Sequence, residues 1–274
     1  MAAKTMRDFF FQFRRHALLL GDYFAQYAKV RVSYRGDFFV ALLTSLCGTV
    51  FQFFFYWFLL KRVDFPHWRK EELFFLWGFA LIPFGVFNVL SLNLYEFGSI
   101  YIMEGKFDRV LLRPLSSLFQ VLFESFRIES LHEVVTGLVI LVWASRHLGY
   151  HWTLLDVALL AFFGLCGGVI YISVFLFLTT FSFWFDDRIG IHPPFWNLMA
   201  FGRYPLSIYS TYIRFLLSWI IPFGFATFYP GVRLLGRPEF RSYAALVPLV
   251  AAASFAIAAF SWRIGLRRYS STGS

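Results

Sequence analysis

Met103-Glu104-Gly105-Lys106-Phe107-Asp108-Arg109-Val110-Leu111-Leu112-Arg113-Pro114-Leu115-Ser116-Ser117 is a charged stretch set between two long apolar segments. From Met103 to Leu112 the apolar residues Met103, Phe107, Val110 and Leu111 recur at i, i+4, i+7 and i+8. That spacing gathers them on one helical face and leaves Glu104, Lys106, Asp108 and Arg109 on the other. Pro114 biases Arg113 out of the helical region, so the helix should stop there. A helix of about ten residues between two membrane spans is too short to be a domain and too patterned to be a linker. It reads as a docking element.

The rest of the chain supplies the membrane. Of 274 residues, 59% are hydrophobic, 23% are aromatic and only 15% are charged. A soluble domain is about half apolar and a quarter charged, so this is an all-α integral membrane protein. The net charge of +9 would suggest nucleic acid in a soluble protein. Here an excess of cations on cytoplasmic loops accounts for it, and no nucleic-acid partner is expected. Cys47 and Cys166 lie in apolar segments, which argues against a disulfide framework. The N-terminus lacks a short apolar core with a small-residue cleavage site, so no cleaved signal peptide is expected.

Residues 1–36 read as a cytoplasmic, interfacial region. Met6, Phe9, Phe10, Phe13, Ala17, Leu20, Phe24 and Tyr27 share one helical face, and Arg7, Arg14, Arg15 and Lys29 avoid it. Such a helix, over 6–30, lies in the membrane interface with its cations against anionic headgroups, or packs on a partner domain. Residues 37–274 read as a single transmembrane domain of six spans: 38–60, 73–94, 122–146, 154–185, 205–222 and 243–262. Pro83 should kink the second span. The third has an ambiguous start, because Glu124, Arg127, Glu129, His132 and Glu133 precede its apolar part. The fourth contains Gly164 and Gly168 at GxxxG spacing, a device for close helix approach within the chain or between subunits. Residues 221–236, broken by Pro and Gly, suit a re-entrant element.

With both termini cytoplasmic, Lys and Arg divide 17 inside to 8 outside, which supports six spans and places the Met103–Ser117 helix in the cytoplasm. Arg214, about 16 Å along a fifth span starting at Tyr204, should face a subunit interface or a water-filled path. Glu124, Arg127 and Glu133 are further candidates for such a path, because ionisable groups in a bilayer face cavities or one another.

Catalytic motifs are missing. Gly105-Lys106 is followed by Phe107, so no phosphate-binding loop is present. His132-Glu133-Val134-Val135-Thr136 begins like HExxH, but Thr136 stands where the second His must be, and no metal site is expected. Glu71-Glu72 reads as a solvated loop end.

The central stretch resembles a motif of ABC-2-type exporter permeases. Glu104-Gly105-Lys106-Phe107-Asp108 and Leu111-Leu112-Arg113-Pro114-Leu115-Ser116 fill the family's frame, although Glu and Gly are directly adjacent here. It looks closest to the subgroup that includes viologen exporter-type permeases. Ile221-Pro222…Tyr229-Pro230 and the ending Gly265-Leu266-Arg267-Arg268-Tyr269-Ser270-Ser271-Thr272-Gly273 are similar to that subgroup as well. The resemblance implies a non-enzymatic export permease in a cell membrane, bacterial by its relatives, with both ends cytoplasmic. It implies two copies of a separate ATPase subunit, which bind ATP and Mg, and a second permease chain, identical or related. No cofactor is expected on this chain. Met103, Glu104, Gly105, Phe107, Asp108, Arg109, Val110, Leu111, Arg113 and Pro114 would form the coupling helix. Its apolar face (Phe107, Val110, Leu111) would either dock into the ATPase groove or pack back on the membrane domain; the expected design is a Phe107 anchor, with Glu104, Asp108 and Arg109 as rim charges.

Two other classes stand beside this reading. A membrane-embedded enzyme using the Glu/His cluster at 124–133 would act without an ATPase, and a scaffold would show no ATP-dependent flux. The aromatic content suits an amphipathic cation as cargo, and equally a lipid-facing surface.

Overall fold

The computed structural model describes residues 35–90, 92–185 and 192–271, together with residues 21, 23, 25, 26 and 29. No strand occurs among them. The interfacial helix expected over 6–30 lies almost wholly outside the described residues.

In chain order the helices used below are α1 (Arg35–Arg62), α2 (Lys70–Leu90), α3 (Lys106–Leu112), α4 (Ser117–Phe123), α5 (Leu131–Leu148) and α6 (Leu154–Thr179). They continue with α7 (His192–Met199), α8 (Thr211–Ile220), α9 (Phe223–Leu234) and α10 (Arg241–Leu266). Among the described residues, five segments are long and apolar enough to cross a membrane: α1, α2, α5 with the turn before it, α6 with the turn after it, and α10. The bent pair α8–α9, folded by 71°, would make a sixth if it counted as one span.

α2 is the centre. Its most apolar window is 78% buried, against 6% for α1, and a helix that is apolar all round belongs inside. Glycines let its neighbours close on it. A Cβ on Gly78 would stand 3.0 Å from the Gly137 carbonyl of α5, and one on Gly164 would stand 2.8 Å from Ile82. Gly168 meets Val86 in the same way. The Gly164/Gly168 spacing therefore seats α6 on α2 inside one chain and is not offered to another subunit. Pro83 sits within an uninterrupted α2, which ends at Leu90, short of the expected residue 94.

The third span also starts later than expected. α4 ends at Phe123, an irregular stretch follows, and a short 3-10 turn (Ile128–Ser130) leads into α5. Glu124 and Arg127 thus lie off the helix rather than in its inner end.

The two ends of the bundle are distinct. At one, Phe97, Phe107, Phe183 and Trp262 stack together. At the other, Arg237 reaches His67 and Glu72, and Phe75 stacks on Trp152.

Residues 192–208 run from the first end to the second. His192 meets Thr179 at the Phe107 end, and Trp196 packs on Phe84 and Phe87 midway along α2. Arg203 bonds Gln52 of α1, Tyr204 packs on Tyr56, and Ser207 accepts from Trp68 at the far end. One short α-helix, two 3-10 turns and the extended residues between them cover roughly 30 Å, the thickness of a hydrocarbon core. α8 and α9 then form a hairpin. α8 starts beside Ser207, the tip at Ile221-Pro222 reaches the level of Ser173 on α6, and α9 returns to Arg237. Ser218 and Tyr229 bond across its arms at 2.8 Å. The segment expected as a fifth span thus overlaps α8, and residues 221–236, expected as a re-entrant element, hold the 71° break and α9.

Candidate coupling site

α3 begins at a sharp corner. Gly105, at φ 70°, occupies the left-handed region that suits glycine. This corner explains the adjacent Glu-Gly pair: Glu104 ends the preceding π-helix (Phe97–Met103) and Gly105 turns the chain into α3. At the other end Arg113 is extended (ψ 140°), as the following proline demands.

The corner also splits the expected apolar face. Met103 precedes it and is 58% exposed, whereas Phe107 and Val110 point into the protein. Phe107 is fully buried in an aromatic cage of Phe97, Phe183, Trp262 and Tyr269, with ring centroids at 5.4, 5.5, 6.0 and 4.9 Å. It cannot anchor a partner while its surface is spent on this chain. Of the two placements expected for the apolar face, Phe107 takes the one that packs back on the membrane domain.

Asp108, half-buried, is engaged within this chain. Tyr269 donates to one carboxylate oxygen at 2.9 Å and Ser271 to the other at 2.6 Å, so the tail after α10 closes over α3. Burial pushes the Tyr269 hydroxyl up to about 12, with its bond to Asp108 adding to the shift, so it stays a donor. Tyr101 donates to Glu124 at 2.5 Å, and Lys106 lies 5.2 Å from the Tyr101 ring centre. Gln120, which sequence reasoning missed, is wholly buried and donates to the carbonyls of Val110 and Leu115, bracing the turn through Pro114. Nothing in its neighbourhood's pattern marks it.

Outside this frame lies an exposed strip: Met103, Glu104, Arg109, Leu111, Leu112, Arg113 and Pro114. Leu112, not singled out from the sequence, is 84% exposed. Beside the strip a groove of about 410 Å³ runs between Leu111, Leu115, Trp262 and Arg263.

The other candidates separate. Both Glu133 oxygens accept from the Asn88 amide of α2, at 2.9 and 2.8 Å. His132 is held by Ser45, Thr49 and the Glu129 carbonyl. Glu124 accepts from Tyr101 of the π-helix that precedes α3, and Arg127 exposes its side chain while its amide bonds Val89. Arg214 is not deep in a span: it sits in the first turn of α8 and caps the carbonyls of Leu206, Ser207 and Tyr209 at 3.3, 3.3 and 3.4 Å. Among the described residues no three His, Cys, Asp or Glu side chains gather as metal ligands.

No curated protein and no solved structure matches the chain. A family model described as ABC-2 family transporter protein matches residues 46–273, from the middle of α1 through the tail that closes over Asp108. The chain belongs to the ABC-2 family of transporter proteins and is a multi-pass membrane component of transport.

Proposed function

We propose that this chain is the permease subunit of an ATP-driven exporter, moved by a separate ATPase subunit that docks on the exposed strip of α3. The observation that carries this reading is the two-sidedness of α3. Its inner face is fixed to α10, Phe183 and the π-helix, and its outer face, exposed among the described residues, mixes apolar side chains with charges of both signs. A push on Leu111, Leu112 and Arg113 would pass through Phe107 and Asp108 to the last span.

In this reading ATP, with Mg, is bound and hydrolysed on the partner. Its closure biases two arrangements of the spans by differential affinity and so alternates access. Two permease chains and two ATPase chains make the unit. Residues 37–274 act as one transmembrane domain and 1–36 as an interfacial segment. The α3 end faces the cytoplasm of a bacterial cell, with both termini there. With Arg203 half-buried against the bundle and Arg214 at the far end, Lys and Arg still divide 15 to 9 in favour of that side. The enzyme alternative is weakened because Asn88 occupies both Glu133 oxygens and His132 is held by three partners.

The test is co-purification with a co-expressed ATP-binding-cassette ATPase subunit. Leu112→Asp should cost about 2 kcal/mol or more of association, as loss of an interface anchor does. The ATPase should be lost, with the permease's own thermal unfolding unchanged. Retention of a full complement of ATPase and normal stimulated hydrolysis would place the docking surface elsewhere.

A further inference from the structure

We propose that Arg203 is an anion-recognition residue within the transport path, so that the exported molecule carries a phosphate, sulfate or carboxylate group. This rests on the transport reading above and adds the chemistry of the cargo.

Arg203 is half-buried against the bundle, at the side of α1. Its Nη1 donates to the Gln52 amide oxygen of α1 at 2.5 Å, and its guanidinium carbon stands 5.1 Å from the Phe84 ring centre on α2. Both neighbours belong to helices apolar enough to cross a membrane. Counted at 1.5 Å per residue, Gln52 is about 15 Å from the far end of α1 and Phe84 about 21 Å from the far end of α2, so the guanidinium sits near mid-depth. The chain is fixed there on both sides, because Gly202 accepts from Thr227 of the hairpin and Tyr204 packs on Tyr56.

A cation at that depth is costly unless it is paired or faces water. Among the described residues no carboxylate lies within ion-pair distance of Arg203. Glu133 is close enough for its charge to be felt, but both its oxygens are engaged by Asn88. A guanidinium has five N–H donors, and among the described residues a single protein acceptor, Gln52, is in place for them. Gln52 is exposed, so the side of Arg203 away from Phe84 opens beside α1 rather than into the core. A planar, permanently charged fork with spare donors, backed by an aromatic face, suits bidentate capture of an oxyanion. The Gln52 amide, whose oxygen is taken by Arg203, keeps its N–H donors for the same ligand.

The experiment needs no ATPase subunit, so its failure and the failure of the transport reading are distinguishable. The purified full-length chain in dodecyl maltoside is titrated with dodecyl phosphate or dodecyltrimethylammonium, and the shift in thermal unfolding is recorded. The wild type should favour the phosphate. Arg203→Gln should weaken phosphate binding about tenfold or more, and Arg203→Lys by less, since Lys keeps the charge but not the fork. Neither should change binding of the ammonium. Gln52→Glu leaves Arg203 in place but supplies an internal carboxylate, and should abolish the preference even if Arg203→Gln fails to fold. Equal phosphate binding by Gln52→Glu or Arg203→Gln and the wild type, or a wild-type preference for the ammonium, overturns the proposal.

Discussion

The stretch 103–117 and the crossing 192–208 both depart from the long apolar helices around them, and they do opposite things. The first stays at one end of the bundle as a helix with one buried and one open face. The second traverses the bundle with no long helix, carrying Arg203, Pro193, Pro194 and Pro205 with it. Chain that faces lipid must satisfy its own backbone and present apolar side chains, but chain shielded by neighbours need do neither. α1, α2 and the hairpin shelter part of residues 192–208 through Gln52, Phe84 and Thr227, while Pro193, Pro194, Asn197 and Phe201 stay exposed.

The sharpest contrast is in how each region is held. Phe107→Ala would empty an aromatic cage and should cost about 3–5 kcal/mol of stability in the membrane domain itself. Thermal unfolding of the isolated permease would show this as a lowered midpoint; an unchanged midpoint with a lost ATPase would return Phe107 to the role of external anchor. Next is the hairpin. A Cβ on Gly167 would collide with the Ala226 carbonyl and stand 2.8 Å from Pro83. Gly167→Ala should therefore cost about 1–3 kcal/mol by overpacking and loosen the hairpin, raising protease cleavage within 211–234. Cleavage equal to the wild type would mean that the hairpin does not depend on α6. The smallest effect is at the tail. Asp108→Asn weakens two charge-assisted bonds and should cost about 1–2 kcal/mol. Carboxypeptidase should then trim the chain back past Tyr269 faster than in the wild type, and equal trimming would deny the clasp.

Much of this architecture was legible. Apolar runs located α1, α2, α6 and α10, and Arg113-Pro114 located the end of α3, because burial and proline geometry act locally. The resemblance pointed to both the central motif and the ending, but only the fold brings Tyr269 and Ser271 onto Asp108. Periodicity placed Met103 on the same face as Phe107, because a pattern count cannot register a left-handed corner at Gly105. The crossing was missed for a related reason. Hydropathy credited the more apolar 205–222 as the span and left Arg203 among the inner-loop cations, since shelter by neighbours is a tertiary property. Gln120 was invisible likewise, as its partners are carbonyls that any sequence supplies.

The path of the fifth crossing is tested most directly by cysteine accessibility in a protein whose Cys47 and Cys166 have been replaced. Asp64→Cys, Ser207→Cys and Leu112→Cys are each exposed to a membrane-impermeant maleimide in intact cells. If residues 192–208 cross and 211–234 turn back, Ser207→Cys and Asp64→Cys should label from the same side and Leu112→Cys only after lysis. Labelling of Ser207→Cys together with Leu112→Cys, and opposite to Asp64→Cys, would contradict that crossing and restore a span at 205–222.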